Sequence, residues 1–172
     1  ITVGSSKPVF FSPASGKGDF TVEFEPGATT LEQEGVGTVV ASLGTDSGYV
    51  PYTAYCTKSG YLSEHPKIIQ AFTNALQRGM EYVHSHTPEE IAAVIAPQFP
   101  ESDLETITMI VARYAAQDTW KENLIFEQES FELLQDILTD AGELESCVPY
   151  DALVTTAFAK EADRKSTRLN SS

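Results

Sequence analysis

The chain has few basic residues. Its 172 residues include 11 lysines and arginines against 25 aspartates and glutamates, so the formal net charge is −14. Phosphate recognition depends on lysine and arginine, and a surface this acidic is a poor partner for nucleic acid. The same charge disfavours a polyanionic ligand, although one local positive site could override it. We therefore expect no nucleic acid among the partners of this chain.

Long apolar runs and cysteines are also scarce. No stretch approaches the roughly 18 apolar residues that span a bilayer, and no secretory signal pattern opens the sequence. The two cysteines are Cys56 and Cys147. Cys56 lies in an apolar stretch and is predicted to be buried, whereas Cys147 is expected to be partly exposed. We expect two free thiols, with a disulfide between them as the alternative.

Motifs for metal binding and catalysis are missing too. His84 and His86 are two residues apart at the end of a predicted helix, so their side chains point about 200° apart. His65 is isolated, and without a cysteine cluster these surface histidines do not predict a zinc site. There is no P-loop, no dinucleotide-binding glycine fingerprint and no nucleophile elbow. The sequence therefore predicts no catalytic residue, no metal and no cofactor.

The most informative stretch is residues 18–28, Gly-Asp-Phe-Thr-Val-Glu-Phe-Glu-Pro-Gly-Ala. Apolar side chains occupy alternate positions, namely Phe20, Val22 and Phe24, which predicts a buried strand with two unlike faces. Pro26 cannot donate to a sheet ladder, so the strand should end at Glu25. Ligands of open α/β sheets bind at the carboxyl ends of strands, which makes Glu25 a candidate ligand contact. A solvated polar face is the alternative.

Two more strands are predicted, over residues 37–43 and 52–58, with a turn over 44–48 between them. A short helix over 28–34 precedes them. Tyr49 and Tyr52 lie at the start of the third strand, and binding pockets use aromatic walls of this kind. Core or hinge packing is the alternative, and it is favoured for Tyr55. The predicted ligand contacts are listed together as Phe24, Glu25, Tyr49 and Tyr52.

The rest of the chain is predicted to be helical. Pro66 suits the first turn of a long helix, and Thr87 to Glu90 form a capping box with proline at the first helical position. The signal is repeated over residues 102–105, Ser-Asp-Leu-Glu, which opens a third helix, and Gly142 suits the position just after the end of a fourth. A last helix is expected over 150–162.

Several segments, in this order, resemble the substrate-binding proteins of ABC importers, and most closely the SsuA/THI5-like (NMT1-like) family. The segments are residues 18–28, residues 48–55 (Gly-Tyr-Val-Pro-Tyr-Thr-Ala-Tyr), the helix after residues 62–66, and Asp118-Thr119-Trp120. The resemblance covers roughly residues 16–162 and only the C-terminal half of such a protein. It implies an α/β fold, a partial periplasmic-binding-protein type II fold with short strands in the N-terminal third and a helical C-terminal part.

The chain is expected to have three parts. Residues 1–17 are a poorly matching lead-in, and residues 18–162 are the C-terminal part of a solute-binding domain. Residues 163–172 hold three of the eleven basic residues and no periodic apolar pattern, so we expect a non-native tail.

The implied function is the solute-binding component of an ABC importer, present as a fragment and not an enzyme. Its ligand would be a small organic nutrient of the pyrimidine-like, sulfonate or nitrate class, and its protein partners would be the permease subunits. The whole protein would be extracytoplasmic, periplasmic or a cell-surface lipoprotein, and held at the membrane only through an N-terminal anchor missing here. A stand-alone helical interaction module is the alternative, followed by a relative of thiamine-pyrimidine biosynthesis enzymes.

Overall fold

A computed structural model describes residues 19–169, and side chains for residues 19–166. Within this range the chain forms nine α-helices, with a short 3-10 helix, Ala96–Gln98, directly after the fifth. The helices are α1 (Gly27–Gln33), α2 (Leu43–Asp46), α3 (Ser59–Glu64), α4 (Pro66–Ser85), α5 (Pro88–Ile95), α6 (Leu104–Ala116), α7 (Gln128–Asp140), α8 (Tyr150–Leu153) and α9 (Ala157–Leu169). The predicted lead-in, residues 1–17, and residues 170–172 lie outside the described range.

The predicted α/β fold is wrong, because no described residue belongs to a β-strand and the described chain is all-α. The stretches predicted as strands, around residues 20–25, 37–43 and 52–58, run without regular secondary structure apart from Leu43, which opens α2. Alternation and β-branched residues are local features, whereas a strand needs a second strand to share its backbone hydrogen bonds. The predicted turn over 44–48 is largely α2, capped by the Ser42 hydroxyl, which accepts from the Thr45 amide.

The first predicted strand also has its faces exchanged. Its apolar side chains are outside, with Phe20 76%, Val22 57% and Phe24 55% exposed. The polar residues between them, Glu23 among them, are half-buried. In an extended segment, a rotation equivalent to one residue exchanges the two faces completely. The prediction of a buried apolar face here is therefore wrong, and polar contacts decide the orientation.

The predicted helix starts are confirmed. Pro66 is the first residue of α4, where its missing N–H costs nothing. At α5 the Thr87 hydroxyl accepts from the Glu90 amide, and the Glu90 carboxylate accepts from the Thr87 amide, which completes the capping box. Helix α6 begins within the signal predicted over residues 102–105, with Asp103 as its cap: the Asp103 carboxylate accepts from the Thr106 amide at 2.7 Å. These contacts satisfy amides that the first turn of a helix cannot satisfy itself.

The predicted end of α7 is also confirmed, because Gly142 follows it with a φ of 75°. The Glu143 amide then donates back to the Leu138 carbonyl at 2.8 Å, and the Gly142 amide to the Thr139 carbonyl, as in a Schellman motif. The single last helix predicted over 150–162 is instead two helices, α8 and α9. Helix α9 continues past residue 162 to Leu169, so it includes most of the segment expected to be a non-native tail.

The buried core lies between α5 and α6. Its central residues are Ile91, Ala92, Ile107 and Val111, each at most 4% exposed. Trp120 packs against this core and meets Tyr114 edge to face. Helix α4 packs along α9, and α7 contacts α8. One face of α6 therefore lies in the core, and another face contacts the N-terminal segment, residues 19–58.

Two surface observations complete the fold. Cys56 and Cys147 are both exposed free thiols, so the predicted burial of Cys56 is wrong, because the apolar strand expected around it does not form. Within residues 19–169, no helix is both long enough and apolar enough to cross a bilayer.

Candidate functional site

The chain around the predicted ligand contacts Glu25 and Tyr49 is attached to α6 and to the turn that follows it. Thr106, Arg113 and Gln117 are spaced by seven and four residues, which places them on one side of this helix. The Gln33 amide donates to the Thr106 hydroxyl at 3.0 Å, and the Ser42 hydroxyl donates to the Gln117 side-chain oxygen at 3.1 Å. The polar side of α6 is therefore covered by residues 25–49 and does not face only solvent.

Arg113 is the centre of this contact. Its Nη1 donates to Glu25 Oε1 at 2.7 Å and to the Thr29 hydroxyl at 3.3 Å, and its Nη2 donates to Glu32 Oε2. The Glu25 side chain is only 5% exposed, and Thr29 is fully buried. One guanidinium thus joins three side chains of the α1 region to α6, in the forked geometry that lysine cannot reproduce.

The charges in this group stabilise one another. The pKa of the Glu32 carboxyl is lowered, first by the Val39 amide that donates to it at 2.8 Å and then by Arg113. The pKa of the Arg113 guanidinium is raised, mainly by its hydrogen bond to Glu32, while partial burial opposes the rise. Two carboxylates share one guanidinium, so the group as a whole carries one negative charge.

Glu25 has both carboxylate oxygens occupied. Oε1 accepts from Arg113, and Oε2 accepts from the Thr29 amide at 3.0 Å, while the Glu25 amide itself donates to the Tyr114 hydroxyl at 3.3 Å. The carboxylate lies beneath the surface and not at the open end of a strand. Its predicted contact with a ligand stays a prediction.

Phe24 and Tyr52 are brought together by the fold. Their ring centroids are 5.1 Å apart with a 35° tilt between the planes, although the two residues are 28 positions apart in sequence. Tyr52 is 77% exposed, so the pair presents ring surface to solvent beside the buried Glu25. Such rings offer apolar faces and a polar edge to an incoming molecule.

Tyr49 is held separately, at the end of α6. Its hydroxyl donates to Asp118 Oδ2, and this contact raises the pKa of the Tyr49 phenol. Asp118 follows the end of α6 with a φ of 52°, a left-handed conformation that glycine usually supplies and that aspartate tolerates. The ring of Tyr49 is 68% exposed. No described contact joins Tyr49 to the Phe24–Tyr52 pair.

Sequence reasoning missed Arg113 and Asp118. Arg113 stands among apolar residues in the sequence of α6, and by its position it resembles a residue of a solvated helix face. The same is true of Thr106. The available signal was the scarcity of basic residues, since an arginine next to an apolar stripe in so acidic a chain is a natural partner for buried carboxylates. The left-handed backbone of Asp118 could not be predicted from the sequence, because glycine, the residue that usually marks such a position, does not occur there.

His84 and His86 lie on the surface, as predicted, whereas His65 is half-buried. His84 contacts the Lys121 carbonyl at 3.0 Å, and His86 stacks on Tyr82 with ring centroids 3.7 Å apart. Among the side chains that the structure describes, no three His, Cys, Asp or Glu residues are arranged to hold a metal ion.

Comparison with known proteins gives one informative similarity. "Putative binding protein YtlA" of Bacillus subtilis (strain 168) is 34% identical to this chain over 148 residues, which is 86% of the chain and 44% of that protein. The chain thus spans less than half the length of this relative. No family model matches the chain, and no solved structure matches it. The relative is named as a binding protein, which is compatible with a non-enzymatic binding role, whereas the SsuA/THI5-like family is not confirmed.

Proposed function

We propose that this chain is part of a solute-binding protein and that its ligand contacts the exposed rings of Phe24, Tyr49 and Tyr52. The similarity to a protein named as a binding protein, over 86% of the chain, carries the proposal. The structure supports it with three aromatic rings that are each more than half exposed. Large exposed apolar surfaces on a folded chain are frequently functional.

The chemistry of these rings favours a flat, uncharged organic ligand. Phe24 and Tyr52 offer stacking surface, and the Tyr49 hydroxyl adds a polar group near the end of α6. A sulfonate or nitrate would need a free cationic donor, and Arg113, the basic residue nearest these rings in the network, is already occupied by two carboxylates. A pyrimidine-like ligand therefore ranks ahead of both anions.

The wider role is proposed from the family resemblance in the sequence. In that role the complete protein acts outside the cytoplasm, in the periplasm or as a cell-surface lipoprotein, and delivers the ligand to the permease subunits of an ABC importer. An opposing wall of the binding cleft would come from another part of that protein. Because such a wall supplies much of the buried contact area, the affinity of this chain alone should be weak.

A titration followed by NMR tests the proposal, because chemical shifts detect binding that is only millimolar. The purified chain is titrated with 4-aminopyrimidine and with taurine. We expect saturable shifts for the pyrimidine at the amides of Phe24 and Tyr52, and their loss in Tyr52→Ala. The control is Tyr61→Ala, a tyrosine that is also exposed but stacks on His65 instead. Tighter binding of taurine, or shifts equally lost in both variants, would refute the site.

A stand-alone helical interaction module is the second candidate. It is favoured by the all-α structure of residues 19–169 and by the outward apolar side chains of the N-terminal segment. An independent module should unfold in one cooperative transition, with equal calorimetric and van't Hoff enthalpies. A broad transition together with pyrimidine binding would exclude it.

A further inference from the structure

We propose that Arg113 is a positioning residue of the candidate site: it keeps the apolar side chains of residues 20–25 outward and closes Glu25 to direct contact with the ligand. The part of this proposal that concerns the ligand rests on the proposed function. The part that concerns the orientation of the segment stands on the contacts of Arg113 alone.

The Glu25 side chain is buried against Arg113. An ionised carboxylate that is only 5% exposed needs a charged partner and further hydrogen bonds. Arg113 supplies the charge at 2.7 Å, and the Thr29 amide supplies a hydrogen bond at 3.0 Å. Without the guanidinium, Glu25 would be buried with no opposite charge in contact, a state that proteins relieve by exposing the group to water.

Along residues 20–25, exposed apolar side chains alternate with half-buried polar ones. Successive side chains point to opposite sides, so turning Glu25 outward turns Phe24 inward. The observed arrangement, with Phe24 outward and Glu25 inward, is the reverse of what apolar burial would select. The pull of Arg113 on Glu25 therefore keeps the Phe24–Tyr52 pair on the surface.

The contacts of Glu25 also affect which ligand charge the site accepts. Both oxygens of Glu25 are occupied, so a cationic ligand finds no open oxygen on this carboxylate. Removal of Arg113 should release Glu25 and give the site a preference for planar cations. Arg113 thus determines specificity without touching the ligand.

Hydrogen exchange measured by NMR on the full chain tests the orientation. In Arg113→Met, protection of the Thr29 amide should fall at least about tenfold, while the amide of Val111 in the core keeps its protection. Arg113→Lys should recover part of the loss, since it restores the charge but cannot reach both carboxylates. Arg78→Met, on an exposed arginine of α4, is the matched control and should change neither amide.

Two results would overturn this assignment. Unchanged protection at Thr29 would show that Arg113 does not hold the segment. An equal loss at Thr29 and Val111 would show a general structural role; should Arg113→Met fail to fold, Glu32→Gln gives the milder test, with a smaller loss expected at Thr29 alone.

Benzamidine, a planar cation, tests the closing of Glu25. We expect its affinity to rise at least about fivefold in Arg113→Met and to return to the starting value in the double variant with Glu25→Gln. No rise, or a rise that persists in the double variant, would refute this part. A failed pyrimidine titration would refute the proposed function and leave the exchange result intact, so the two failures are distinguishable.

Discussion

The N-terminal segment, residues 19–58, and the helices from α4 to α7 are held by different forces. The helices bury Ile91, Ala92, Ile107 and Val111 to 4% exposure or less. The N-terminal segment leaves most of its large apolar side chains outside, including Val40 at 74%. Its contacts with α6 are hydrogen bonds and ion pairs made by side chains.

Because different forces hold them, the two regions should respond to different perturbations. Apolar burial does not depend directly on the protonation of carboxylates, whereas ion pairs weaken as carboxylates are protonated or charges are screened. Loss of an exposed apolar side chain should matter little, and loss of a charge at α6 should act on the N-terminal segment first.

The largest expected effect is in the helical core. Ile107→Ala removes a side chain that is 4% exposed and leaves a cavity, so the free energy of unfolding should fall by about 3 kcal/mol. The matched change Val40→Ala, at a position 74% exposed, should cost less than about 0.5 kcal/mol. Urea denaturation followed by circular dichroism measures both. Similar losses at the two positions would show that the regions do not differ in this way.

The next effect is acid release of the N-terminal segment. The folded-state pKa of Glu32 lies below its ordinary value of 4.5, so its contribution to stability is fully present above that value. It is lost as the pH falls through the lowered pKa. We expect the Val39 amide, which donates to Glu32, to lose protection in this range while Val111 keeps it.

Glu32→Gln should remove that pH dependence, and Glu34→Gln, at an exposed position two residues later, should leave it in place. Hydrogen exchange corrected for the intrinsic effect of pH is the measurement. Simultaneous loss of protection at Val39 and Val111 would mean that the segment and the core unfold as one unit.

The smallest change is expected in the pKa of the Tyr49 phenol. Asp118 accepts from the Tyr49 hydroxyl and raises the pKa of that phenol, because its negative charge disfavours the tyrosinate. In Asp118→Asn the pKa of Tyr49 should move down toward its ordinary value. Ultraviolet difference titration against Tyr49→Phe isolates this one tyrosine. A pKa that stays in place would indicate that the contact does not persist in solution.

Much of the helical part could be predicted from sequence. Helix starts were predicted where a local signal is strong: Pro66, the Thr87 capping box and the Ser-Asp-Leu-Glu signal over residues 102–105 each act within one turn of the residues that carry them. The same holds for Gly142, whose left-handed φ ends α7. These signals need no information from distant parts of the chain.

The strands and much of the candidate site could not be predicted in the same way. Alternation over residues 20–25 indicates an extended segment but does not supply the partner that a strand requires. Which side of that segment is buried depends on Arg113, 88 residues away from Glu25 in sequence. The contact of Phe24 with Tyr52 likewise joins residues far apart in sequence, so it appears only in the folded chain.

The amino-acid sequence was enough to predict α4 to α7, their caps and the acidic character of the chain, because these follow from contacts within a turn or from composition alone. Only the folded arrangement turns the apolar side chains of residues 20–25 outward and buries Glu25. The physical reason is that a buried carboxylate requires a cation, and only the folded chain brings Arg113 to it.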